Sequence, residues 1–136
     1  MITFTITGET PAKKNSRINL KNGRSIPSKK YQEWHFQAQT QLLNQIALLS
    51  QTLKPISKPC KVSIYFTHGD LRRRDSDNGC SSIMDLLVDC HVLFDDRWNI
   101  VKEIHVYNDF DKGNPHCKIT LDYIDSMSVM DLPDKE

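Results

Sequence analysis

The sequence predicts a single α+β domain in the order β-α-β-α-β-β, a mixed sheet carrying two main helices. Three observations predict it. Four segments alternate polar and apolar residues with period two, and two stretches between them place apolar residues at helical spacing. The chain is 136 residues long, enough for one two-layer core but not for two.

Ile2, Phe4 and Ile6 alternate with Thr3, Thr5 and Thr7, the pattern of a half-buried strand. From Glu9 to Pro27 periodicity is lost and Gly, Pro, Asn, Ser and cations dominate, which predicts a long loop. Ser28 is a candidate N-cap for a helix carrying Tyr31, Trp34, Ala38, Leu42, Gln45, Ile46 and Leu49, ending near Leu49, before Pro55. Cys60, Val62, Ile64 and Phe66 share one face of a second strand. Residues 67–76 form a polar connection. A short amphipathic helix is expected to start near Asp77, with Ile83, Met84, Leu86, Leu87 and Cys90 on its apolar side. Ile100–Tyr107 and His116–Tyr123 read as the last two strands, and the turn-rich segment between them predicts a hairpin. The domain is placed at residues 1–123, and the acidic, aperiodic residues 124–136 are expected to fray.

No apolar stretch approaches the length needed to cross a bilayer, and residues 1–8 do not resemble a signal peptide, so a soluble, cytoplasmic protein with no membrane partner is expected. Cys60, Cys80, Cys90 and Cys117 include no C-x-x-C pair and share no metal spacing with the histidines. Buried reduced thiols are expected instead of disulfides or zinc.

The chain has 18 Lys+Arg against 17 Asp+Glu, a formal net charge of +1, which at first argues against nucleic acid. The distribution reverses that reading. Residues 11–30 carry Lys13, Lys14, Arg17, Lys21, Arg24, Lys29 and Lys30 and no acid. Residues 75–96 carry Asp75, Asp77, Asp85, Asp89, Asp95 and Asp96 and no Lys or Arg. Arg72, Arg73 and Arg74 abut the first aspartate. A cationic loop is either a solvated face or a phosphate-binding arm that releases counterions on contact with a nucleic-acid backbone.

If residues 74–77 are extended, Asp75 and Asp77 point the same way. Asp95 or Asp96, just before the third strand, could return to join them. Three carboxylates without His or Cys make a hard oxygen site suited to magnesium or manganese. The structural alternatives are that Asp77 or Ser76 caps the second helix and that Asp95 and Asp96 are turn residues. An EF-hand loop is excluded, because Gly79 falls one place early and Leu86 stands where a bidentate carboxylate belongs.

Arg72-Arg73-Arg74-Asp75-Ser76-Asp77-Asn78, then Asp85, then Asp95-Asp96, resembles the RusA-type Holliday junction resolvases. The likeness extends to Pro11-Ala12-Lys13-Lys14-Asn15 in the first loop, to Ser28–Trp34 at the first helix, and to Lys112-Gly113 near the last strand. It implies a homodimeric, often prophage-borne endonuclease that resolves four-way DNA junctions in recombination and repair, using Mg2+ with Mn2+ as substitute. Carried over, Asp75, Asp77 and Asp96 are the expected metal ligands, with Arg74 beside the scissile phosphate. Asn78, Asp85 and Asp95 are supporting positions. Lys13, Lys14, Asn15, Arg17, Arg24, Lys29, Lys30, Arg72, Arg73 and Arg74 are the expected DNA contacts. Ser81 stands where the family places a lysine, so the alternative is a RusA-like junction-binding protein with weak or lost cleavage.

Overall fold

The computed structural model describes residues 1–13 and 17–124. Lys14, Asn15 and nearly all of the expected tail lie outside the described residues. The elements are β1 (Ile2–Thr7), β2 (Arg17–Asn19), β3 (Ser25–Pro27), α1 (Lys29–Ala47), β4 (Cys60–His68), α2 (Cys80–Asp89), β5 (Val101–Phe110) and β6 (His116–Tyr123). The fold is α+β, with two helices and a mixed four-stranded sheet in the order β1-β6-β4-β5.

Period two does what the alternation predicts. Phe4 and Ile6 of β1, Val62, Ile64 and Phe66 of β4, and Cys117, Ile119 and Leu121 of β6 are all buried on one face. Tyr31, Trp34, Ala38 and Leu42 of α1 cover that face together with Ile83, Leu86 and Leu87 of α2. Each fully buried side chain of this size contributes about 1.5–3 kcal/mol. Helix α1 starts where its cap predicts, with the Ser28 hydroxyl accepting from the Tyr31 N–H.

Helix α1 also covers part of one edge of the sheet. Gln45 accepts from the Thr5 N–H at 2.9 Å and donates to the Thr5 carbonyl at 2.7 Å. Gln41 accepts from the Thr7 N–H at 2.8 Å. The outward backbone groups of Thr5 and the Thr7 N–H are therefore satisfied by side chains, which blocks strand pairing along that part of the edge.

Three expectations are corrected. The last two strands do not form a hairpin, since β5 pairs parallel to β4 and β6 pairs antiparallel to β4 on its other side. Residues 111–115 pass over the end of β4, with the Asp111 N–H on the His68 carbonyl and the Gly113 N–H on the Gly69 carbonyl. Five residues can span about 16 Å, more than the roughly 10 Å between strands two places apart. Gly69 allows the crossing, because a Cβ there would come within 2.7 Å of the Pro115 ring.

The expected loop over 9–27 contains a small hairpin, β2 with β3, in which Ile18 faces Ile26 and Arg17 donates to the Ser25 hydroxyl and carbonyl. Strands of three residues are too short to show a period. Helix α2 starts at Cys80 instead of near Asp77, because residues 75–79 turn first. The Asn78 N–H bonds the Asp75 carbonyl, the Cys80 N–H bonds the Asp77 carbonyl, and Gly79 sits at φ +85°.

All four cysteines are free thiols, as expected. Burial pushes Cys60 and Cys90 up to about 11 and Cys117 up to about 12. Cys80 is only half-buried. Among the described residues, no helix is long and apolar enough to cross a membrane.

Candidate active site

The segment that leaves β4 is held by a polar relay. On β5, Asn108 donates through Nδ2 to the Ser76 carbonyl at 2.7 Å, while its Oδ1 lies 2.8 Å from His68 Nε2. His68 Nδ1 lies 2.6 Å from Glu9 Oε2. Neither Asp75 nor Asp77 is used as a helix cap, since Gly79 occupies the N-cap and no side chain bonds the first turn of α2. Their carboxylates are exposed.

The first loop is laid against the same helix end. Thr10 packs on Gly79, where an added Cβ would meet Thr10 Cγ2 at 3.0 Å and Phe66 Cζ at 3.3 Å. The fully buried Ser82 donates its hydroxyl to the Pro11 carbonyl at 2.7 Å and accepts from the Lys13 N–H at 3.1 Å. Loop and turn together wall an open cavity of about 400 Å³, lined by Asp75, Asp77, Asn78, Ser81 and Asp96 with Lys13, Cys80, Met84 and Ile104 among the rest. Carboxylates from two segments, one before α2 and one after it, thus face one space. Asp95 instead accepts from the Asp96 N–H at 2.8 Å and lies 3.8 Å from Arg97 Nε.

The cations divide. Arg74 is largely buried, and its guanidinium lies 2.9 Å from Asp70 Oδ1 and 3.4 Å from Glu9 Oε1. It lines a neighbouring cavity of about 320 Å³ with Arg72, His68, Asn108 and Asp75, so among the described residues only Asp75 borders both spaces. The Arg72 N–H and then Arg74 hold the Asp70 carboxyl below its ordinary value. Arg72 and Arg73 are exposed, as are Lys29 and Lys30 at the start of α1, and Arg24 lies on the exposed turn of the small hairpin. Lys13 donates through Nζ to Asp85, and that bond raises the lysine above its ordinary value against the opposing desolvation. Lys13 and Asp85 also line a third cavity of about 360 Å³ with Tyr31, His35 and Asp89.

Among the described residues, no three His, Cys, Asp or Glu side chains lie close enough to form a ready-made metal cage. The donor set still suits a hard divalent ion, because Mg2+ is ordinarily held by one or two carboxylates and completed by water and phosphate oxygens. An open cavity with exposed aspartates leaves room for both.

Sequence reasoning passed over Glu9, His68 and Asn108. A signal was present for Asn108: it follows Ile104 and Val106 on the core side of β5, where period two calls for an apolar residue. Comparison with known proteins adds nothing to these observations: no family model matches the chain, and no curated protein matches it.

Proposed function

We propose that this chain is a divalent-metal-dependent endodeoxyribonuclease that cuts four-way DNA junctions. The observation that carries the reading is that Asp75, Asp77 and Asp96 line one open cavity beside exposed cations. Asp75, Asp77 and Asp96 would supply the carboxylates that hold a Mg2+ or Mn2+ ion, with water and phosphate oxygens completing its shell. When bound, such an ion polarises a phosphodiester and lowers the pKa of a coordinated water. Hydrolysis joins a water oxygen to phosphorus and breaks the bond to one sugar oxygen. The electron pair leaves on that sugar oxygen, which gains a proton, and the attacking water gives one up to solvent.

The chain's own residues orient the phosphate. Asn108 fixes the Ser76 backbone and with it the two neighbouring carboxylates. Arg72, Arg73, Lys29, Lys30 and Arg24 present charge to the DNA arms, where phosphate contacts set position. Two symmetric strands call for two active sites, and a twofold dimer provides them. The outer edge of β5 has no strand partner among the described residues and carries exposed Ile104, Tyr107 and Phe110, which supports pairing with a second copy. Four free thiols suit the reducing cytoplasm.

The test is incubation of the full chain with Mg2+ or Mn2+ and a mobile four-way junction, beside flap and linear duplex substrates. Paired nicks confined to the junction are expected. Cleavage of flaps in preference to junctions points to a nuclease for other branched DNA. Junction binding without nicks in either metal favours the alternative of a binding protein, for which the uncharged Ser81 on the cavity wall is the supporting observation.

A further inference from the structure

A phosphodiester that enters this cavity meets three carboxylates, and a cation on the wall must offset them if the phosphate is to be held. Among the described lining residues, Lys13 alone is basic. Arg74 borders the neighbouring space with its guanidinium held by Asp70 and Glu9. The Lys13 N–H is bonded to the hydroxyl of Ser82, next in sequence to Ser81, and Lys13 and the uncharged Ser81 both line the cavity. Its ammonium rests on Asp85, one helical turn beyond Ser81 and on the wall of the third cavity, which Lys13 also lines.

We propose that Lys13 is the phosphate-contacting catalytic cation of the cavity and that Asp85 is its positioning partner, an assignment that rests on the nuclease reading above. The Lys13 and Asp85 side chains are 40% and 32% exposed. A pair so open to water contributes little, about 0–1 kcal/mol, so the ammonium can exchange a carboxylate oxygen for a phosphate oxygen without moving the backbone. Lys13 stays protonated through the step and stabilises the charge developing on the phosphoryl oxygens. Asp85 holds the stem extended over α2 between turnovers.

The experiment measures single-turnover nicking of a mobile junction in Mg2+ and, separately, junction binding in Ca2+. Lys13→Met is expected to slow nicking about 10- to 100-fold, the loss of a charge-assisted bond. Its junction affinity should stay within about threefold, since one phosphate contact is a small share of the total. Lys13→Arg should retain most of the rate, and adding Ser81→Lys to Lys13→Met should restore it by placing a cation on the same wall. Asp85→Asn should slow nicking in the wild-type background and have no further effect on Lys13→Met, whereas a merely structural role would weaken both alike. Wild-type nicking that Lys13→Met leaves unchanged overturns the assignment and spares the nuclease reading. Nicking that appears only with Ser81→Lys also overturns it. Absence of nicking from the wild type and from Ser81→Lys together overturns the nuclease reading, and this assignment with it.

Discussion

Lys13 and Arg74 are cations in two segments that both border Asp75, and the structure uses them differently. Arg74 is 12% exposed and faces two carboxylates, Asp70 and Glu9, the second also bonded to His68. Lys13 is 40% exposed and has one carboxylate partner among the described residues. The first arrangement ties a guanidinium between two carboxylates; the second is an ion pair open to water.

The largest expected effect separates the two residues directly. Lys13→Met should lose nicking with little loss of stability. Arg74→Met should instead lower the melting temperature, because it takes the guanidinium from between Asp70 and Glu9, and should reduce nicking less than Lys13→Met does. Equal loss of nicking in both, at equal thermal stability, breaks the comparison. Arg74→Met also has a pH signature. The Asp70 carboxyl lies below its ordinary 3.8, so its contribution is present above that value and is lost as pH falls through the depressed one. The Arg72 N–H, the larger cause, is kept in Arg74→Met, so the variant should lose only part of the acid sensitivity the wild type shows below pH 3.8, measured by circular dichroism against pH.

Gly79→Ala sharpens the comparison from the other side. It forces a side chain into a φ of +85° and against Thr10, at a cost of about 1–3 kcal/mol. It also pushes the first loop off α2, so Lys13 is displaced while Arg74 is left in place. The melting temperature should fall, and nicking should fall further than binding.

The smallest effect is on salt dependence. Arg73 is exposed and Arg74 is held, so Arg73→Ala should reduce the slope of log junction affinity against log salt by about 1. Arg74→Met should hardly change it. A titration from low to moderate salt reads both.

Much of this was legible in the sequence, and the rest failed for physical reasons. Every strand of the main sheet and both helices follow from periods of 2 and 3.6, because burial selects those positions. The pairing of β5 and β6 does not follow, since a five-residue turn closes a hairpin or crosses one strand equally well. The acidic residues were visible by type, which left Asp95 and Asp96 as alternatives; the resemblance singled out Asp96, and Asp75, Asp77 and Asp96 line one cavity. The pairing of Lys13 with Asp85 was not visible, since the two lie 72 residues apart and no local pattern joins them. Arg74 stands beside Asp75 in sequence, yet its guanidinium turns towards Asp70, four residues back.

The central claim is that the aspartate cavity cuts DNA with a bound divalent ion, and comparing wild type with Asp77→Asn on one mobile junction in Mg2+ tests it most directly. The account predicts paired nicks from the wild type, a loss of at least about 100-fold in Asp77→Asn, and undiminished junction binding by the variant in Ca2+. Nicking by Asp77→Asn at the wild-type rate would contradict it.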